Sequence, residues 1–366
     1  MIAIVSSSHF PDDERIYYKQ ICSLLDIGKK ITYFTKSIIN KNLSKKGLTH
    51  INYNEKMSIN DFVDKVYMEI FNQKRIKQVQ IHETELLPLL KILKQKNQKT
   101  YTLYDVHEDM ESMYRTFSNR NFIVRELAII RRRLNEDKNL KFVDQIILAN
   151  EPIHKSKYSK FKINQVVVEN FVETEFLKLD IVFKKNPDII YHGHLGPERG
   201  IEDLVVAISK VVKEYVKVKL TLLGTFRTYD FQEKIHKLIR NLSLEDHIEI
   251  LNQVPHRDVW KILRKASIGV IPFRKNPLTN NCTPTKLFEM MASCHQIVST
   301  NLPPVRFFVK DSIHWAESDN PDSLGEAIIA SIESLNDNSK IEKNIDLIKN
   351  KYNWDKIKSK YTNLFK

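Results

Sequence analysis

Short runs of consecutive apolar residues alternate with longer segments whose apolar positions recur at helical spacing, and the alternation continues along all 366 residues. In the first half the runs fall at 2–6, 30–34, 79–82, 101–106, 145–149 and 165–168, with helical patterns at 13–25, 85–93 and 122–134 between them. In the second half strands are expected at 188–192, 217–223, 247–251, 268–271, 296–299 and 313–316, and helices at 201–212, 231–241, 257–264, 284–292 and 321–332. Strands that are apolar without alternation must be covered on both faces, which predicts parallel sheets with helices on each side, an α/β fold. A chain this long exceeds what one core usually holds. Two doubly wound, Rossmann-like domains facing across a cleft are therefore expected. Their boundary falls in the polar stretch 172–187, giving domains 1–172 and 173–350 and a last helix, 351–366, that returns to the first domain.

Composition adds limits. Hydrophobic content of 42% and charged content of 28% describe a globular chain. No apolar run approaches the roughly 20 residues of a membrane-spanning helix. The opening Met1-Ile2-Ala3-Ile4-Val5 lacks a basic leader and reads as a first strand. Cys22, Cys282 and Cys294 are odd in number and lack zinc-ligand spacing, which suggests reduced thiols in a cytoplasm.

The net charge of +13 is uneven, since residues 1–170 hold 29 Lys+Arg against 20 Asp+Glu. Basic runs at 41–46, 91–99 and Arg131-Arg132-Arg133 fit either a Lys-rich solvated surface or an anionic membrane. Phe122-Ile123-Val124 and Leu127-Ala128-Ile129-Ile130 precede the arginines, and this apolar stretch either meets lipid or packs inward. Zinc-finger, RNP and basic-zipper signatures are absent, so nucleic acid is not an expected partner.

The segment Thr283-Pro284-Thr285-Lys286-Leu287-Phe288-Glu289-Met290-Met291-Ala292 carries the most chemistry. Thr283 suits an N-cap and Pro284 the first helical position. Free amides at that end hold an anion, and Lys286 adds a full charge. Glu289 follows on the same face, about 4.5 Å along the axis, within reach of a sugar hydroxyl pair. An ordinary capped helix with a solvated Lys–Glu pair accounts for the segment equally well.

Further landmarks shift that balance. Tyr191-His192-Gly193-His194-Leu195, Glu198-Arg199-Gly200, the strand 218–223 with Gly224, the strands 248–254 and 266–272, and Tyr352-Asn353-Trp354 occur in one order. Together with the Pro-x-Lys-Leu-Phe-Glu segment they resemble glycosyltransferase family 4, retaining sugar-nucleotide transferases of the GT-B fold. The resemblance is dense in the C-terminal half and loose in the N-terminal half. It implies that Glu289 binds the ribose and that Thr285, Lys286, Arg199, His194, Gly193 and Gly224 surround the donor diphosphate. His194 stands where the family usually has Arg, and a diphosphate beside it would favour its charged form. Asn281 stands where the family often has the first Glu of a pair, and brings hydrogen bonds to the donor sugar without charge.

In the first half, Ser8-His9-Phe10-Pro11-Asp12-Asp13-Glu14-Arg15 resembles the first loop of a family subset. His9, Asp13 and Arg15 then belong to the acceptor side, with Asp13 and Arg15 capping and bracing the loop. His107, in Tyr104-Asp105-Val106-His107, ends a strand at the cleft and reads as a catalytic contact to the donor sugar or acceptor, or else as strand-end packing. Ile81-His82-Glu83 has a similar position and is left out of the site. The expected activity is retaining, metal-independent sugar transfer from a nucleoside diphosphate sugar to a glycan or polyprenyl-diphosphate-linked acceptor, without a cofactor. The enzyme is expected in the cytoplasm, on the inner face of the membrane where its charge takes it there. A sugar-nucleotide epimerase of the same fold and a silent nucleotide-sugar-binding protein are the alternatives.

Overall fold

The computed structural model describes residues 1–39, 43–97, 99–106, 109–149, 157–177 and 187–366. The chain divides into two compact units, Met1–Asn170 with Ile357–Lys366, and Phe171–Lys356. The sequence reading set this division after 172 and the return at 351.

The first unit is built on seven strands: β1 (Ile2–Ser6), β2 (Ile31–Lys36), β3 (Leu48–Tyr53), β4 (Gln78–Ile81), β5 (Tyr101–Val106), β6 (Gln145–Leu148) and β7 (Asn164–Val167). They form one sheet in the order β3-β2-β1-β4-β5-β6-β7, every pair parallel. Each strand of β1 and β2 is buried almost end to end, as continuous apolar runs require. Helices α1 (Cys22–Asp26), α2 (Ile59–Asn72), α3 (Leu87–Lys96), α4 (Met110–Phe117) and α5 (Phe122–Leu140) join them. Glu14–Ile21, ahead of α1, is a π-helical stretch. Phe62, Val66 and Ile70 of α2 and Leu86, Leu89 and Leu90 pack on Val79 and Ile81 to make the core.

Strand β3 and helices α2 and α4 of this unit lie outside the sequence pattern. The strand β3 is an edge strand with half-exposed residues, so it lacks the apolar run of the others. Helix α2 carries a readable start, since Ser58 caps it by accepting from Asp61 N. The C-terminal residues join this unit through Tyr361, whose hydroxyl donates to Gln80 Oε1 at 2.9 Å, and through Gln78 Nε2, which donates to the Leu364 carbonyl.

The second unit holds β8 (Ile189–His192), β9 (Leu220–Leu223), β10 (Ile248–Leu251), β11 (Ile268–Ile271), β12 (Gln296–Thr300) and β13 (His314–Ala316), ordered β10-β9-β8-β11-β12-β13 and again parallel throughout. Phe171, Phe288, Phe308 and Tyr352 pack ring on ring, with centroids 4.8 to 6.1 Å apart. Trp354 N donates to Val172 O, which ties the start of this unit to its end.

In both sheets the strand order reverses at one place, between β1 and β4 and between β8 and β11. Loops leaving the carboxyl ends of such a pair diverge to opposite faces and leave a crevice, so ligands are expected there.

Candidate active site

In the second unit the loop after β8 turns on two glycines with left-handed backbone. Gly193 has φ +112° and Gly200 has φ +67°. A Cβ on Gly200 would meet the Pro272 carbonyl oxygen at 1.8 Å, and one on Gly224 would meet the Gly193 carbonyl oxygen at 1.9 Å. Backbone thus packs against backbone, and no other residue fits. Between the glycines, Arg199 closes the short turn Pro197–Arg199.

The helix Thr285–Ala292 begins one residue later than the sequence suggests, with Pro284 in extended backbone as its cap. Its first turn lines a cavity of about 140 Å³ with Arg199, Phe273, Cys282, Thr283 and Pro284. Two cations share the Phe273 ring, the Arg199 guanidinium at 4.5 Å and the Lys286 ammonium at 5.6 Å from its centroid. Glu198, 3.3 Å from Arg199 Nε, offsets part of their mutual repulsion, and an anion in the cavity would offset more. Burial first, and Arg199 second, lower the Lys286 pKa to about 8 against the pull of Glu289.

Glu289, one turn further on, is buried and held by two histidines. His192 Nε2 lies 2.6 Å from Oε2, and His256 Nε2 lies 2.8 Å from Oε1. Burial alone would raise this carboxyl. The two imidazoles outweigh it and keep the group well below the ordinary carboxylate range. Each carboxylate oxygen has two lone pairs, so a vicinal diol can still donate one hydrogen bond to each. His192 Nδ1 has no partner among the described residues. Neither histidine, nor Phe273, was singled out in the sequence. His192 was read as the end of a strand, and His256 had only its place after Val254-Pro255 to mark it.

His194 lies in the field of the same cations. Loss of hydration, then Arg227, Lys286 and Arg199, lower its pKa and disfavour the charged ring. Tyr191 anchors this residue by donating to its carbonyl at 2.7 Å. Asn281 ends the short helix Pro277–Asn281, exposed, and does not line the 140 Å³ cavity. Thr285 does line it.

In the first unit the switch point between β1 and β4 carries His9. Its Nδ1 lies 2.7 Å from Glu83 Oε1, and Glu83 also accepts from Ser6 Oγ and Ser7 N. Burial opposes ionisation of Glu83, but His9 and Ser6 prevail and bring its pKa to about 2. Glu83, which sequence alone does not mark as part of the site, is therefore the residue that orients His9. The pair lines a cavity of about 440 Å³ together with Tyr104, Met110, Tyr114, Ile129, Arg132, Arg133 and Glu136.

Asp13 and Arg15, placed on the acceptor side, cap and brace as their place in the loop suggests. Asp13 caps its helix by accepting from Ile16 N at 2.9 Å. Arg15 is buried and grips Asp105 with two bonds, 3.0 and 2.8 Å, while its third donates to Val168 O. Gln20 Nε2 donates to the same carboxylate at 2.5 Å. All three nitrogens of the Arg15 guanidinium are thus engaged within the protein. His107 lies outside the described residues.

Known proteins bear on these two sites. Residues 174–354 match the sequence model described as glycosyl transferases group 1. An uncharacterized glycosyltransferase of Methanocaldococcus jannaschii is 24% identical over 215 residues, 58% of this chain and 56% of that protein, so the chain matches little more than half of the relative's length. Among solved structures, Anabaena HepE in complex with UDP superposes with a TM-score of 0.76 at 13% identity, over 100% of this chain and 99% of that one. Sucrose-phosphate synthase from Thermosynechococcus elongatus gives 0.74 at 14% identity, over 100% and 98%. A glycosyltransferase from Rickettsia africae gives 0.71 at 16%, over 100% and 99%. At these identities the likeness establishes the fold: two parallel-sheet α/β domains of the GT-B class, as the residue pattern and the resemblance together predict.

Proposed function

We propose, since residues 174–354 match the model described as glycosyl transferases group 1, that this protein transfers a sugar, with retention, from a nucleoside diphosphate donor to a glycan or polyprenyl-diphosphate-linked acceptor. The observation that carries the reading is the pairing of Arg199 and Lys286 on Phe273, beside the amide end of a helix whose next turn presents Glu289. The amides and both cations take the diphosphate, and the Glu289 carboxylate takes the ribose diol. As the glycosidic bond breaks, negative charge builds on the diphosphate, and fixed cations in a partly dry site stabilise that change more than the ground state. Two full charges at this place supply what a divalent ion supplies elsewhere, so turnover is expected to be indifferent to EDTA.

In the first unit the acceptor reading rests on His9 and the cavity beside it. The carboxylates of Glu83 and Glu136 accept from sugar hydroxyls, and Tyr104 and Tyr114 offer ring faces and edges to the apolar side of a sugar. The enzyme works, on this reading, at the inner face of the cell membrane, where such lipid-linked acceptors are built.

UDP is the nucleotide in the HepE complex and the first to test. The protein is incubated with UDP-, GDP- and dTDP-sugars, with and without a polyprenyl-diphosphate glycan, and products are identified by mass spectrometry. Acceptor-dependent release of one nucleoside diphosphate is expected. Interconversion of sugar nucleotides without acceptor would instead mark an epimerase, and binding without any turnover a silent receptor.

A further inference from the structure

Helix α5 is amphipathic with its apolar side turned outward. Its buried residues are Ile129, Glu136 and Leu140. Phe122 (69% exposed), Ile123 (70%), Leu127 (61%), Ile130 (51%) and Leu134 (56%) stand in solvent. Ile123, Leu127, Ile130 and Leu134 are separated by four, three and four residues. At 3.6 residues per turn that spacing makes one straight stripe about 16 Å long. A globular protein normally turns such a stripe inward. Here the inward side carries Arg132 and Glu136, which line the 440 Å³ cavity. The sequence left open whether this apolar stretch packs into the core, and the structure turns it out.

Charge selects the partner. Arg131 and Lys138 border the stripe, both exposed, and have no hydrogen bond or ion pair among the described residues. The acidic residues nearby are neutralised, Glu126 by Arg115 at 3.0 Å and Asp137 by Lys160 at 3.0 Å. An apolar stripe inside a basic border repels a second copy of itself and fits a surface of anionic headgroups over hydrocarbon. No described helix is long and apolar enough to cross a membrane, so the contact is with the surface.

We infer that α5 is a membrane-docking helix that lies along an anionic bilayer, with Ile123, Leu127, Ile130 and Leu134 at the boundary of headgroups and acyl chains. Arg131 and Lys138 contact lipid phosphates beside them. The inference deepens the reading of a membrane-associated transferase and rests on it for the reason the protein visits a membrane. Lipid binding is measured without any sugar donor, so either reading can fail without the other.

The full chain is sedimented with phosphatidylcholine vesicles, with and without phosphatidylglycerol, at low and high salt. The wild type is expected to bind only the anionic vesicles, and salt to release most of it. Ile123→Ser/Leu127→Ser/Ile130→Ser should weaken partition roughly tenfold or more, since the buried apolar area is lost. Arg131→Gln/Lys138→Gln should lose roughly tenfold at low salt and little at high salt. All these side chains face outward, so unchanged unfolding temperatures are expected and verify that both variants fold. The inference is overturned if the wild type ignores anionic vesicles, or if the triple variant binds as the wild type does. A dimer by light scattering that the serine substitutions dissociate would overturn it too, by seating a second copy on the stripe.

Discussion

The side chain of Lys286 lies across Gly193, so that a Cβ at 193 would stand 2.3 Å from Lys286 Cε and 2.6 Å from Nζ. The glycine is needed for its backbone at φ +112° and again for the space it leaves the lysine. Gly193→Ala should therefore push the ammonium away from the Phe273 ring. A displacement of about 1 Å of a charge-stabilising group costs on the order of 100-fold in rate. The check is kcat/KM with the donor found by the sugar-nucleotide panel, on a variant shown folded by circular dichroism. Wild-type turnover would remove Lys286 from the diphosphate site.

Lys286 also sets a pH dependence. Burial brings its pKa down to about 8, and a bound diphosphate favours its charged form. Nucleotide affinity should be full below pH 8, fall as pH rises from about 8 to 10, and show proton uptake by calorimetry within that window. Lys286→Arg should flatten the profile, since guanidinium stays charged. Affinity that is constant from pH 7 to 10 in the wild type would contradict this. The same shift costs stability. The folded pKa lies below the unfolded value of 10.5, so the unfolded state holds the proton more tightly, and the cost is full below about 8 and relieved as pH rises toward 10.5. Lys286→Met should raise the unfolding temperature at pH 7 while abolishing transfer.

Glu289→Gln should weaken nucleotide binding by about 2 kcal/mol, because hydrogen bonds from the ribose to a charged acceptor become bonds to a neutral one. His192→Ala should act more on the fold than on the ligand. It leaves the buried carboxylate with one imidazole where it had two, a loss of about 1–3 kcal/mol in denaturant titration. Calorimetry on both variants separates these effects, and unchanged affinity in Glu289→Gln would end the ribose assignment.

Arg15 and Asp105 should behave as structure. Removing one partner of a buried pair leaves the other charge uncompensated, so Arg15→Met or Asp105→Asn should lose about 3–5 kcal/mol of unfolding free energy. Asp13→Ala, which removes only a helix cap, should lose about 1 kcal/mol. A normal unfolding midpoint with a raised acceptor KM in the Arg15 variant would return that residue to the acceptor side.

The periodicity of apolar residues was enough to locate both sheets, because strands buried on two faces must be apolar at consecutive positions whatever surrounds them. It located most helices within a turn for the same local reason, and the capping residues Asp13 and Ser58 act within a few residues of themselves. Edge strand β3 was lost because an exposed face demands no apolar run. The donor segment around Lys286 and Glu289 was legible as chemistry, being one helix in one stretch of chain. What surrounds it was not. Phe273 beneath two cations, His192 and His256 on Glu289, and Glu83 on His9 join residues as far as 97 apart, and no local pattern pairs them. Burial was equally out of reach. Arg15 and Arg131 look alike in sequence, yet one is enclosed with Asp105 and the other stands on the surface. The facing of α5 is the clearest case. Its stripe is written in the sequence, but its direction depends on what the opposite side packs against, and only the tertiary structure supplies that.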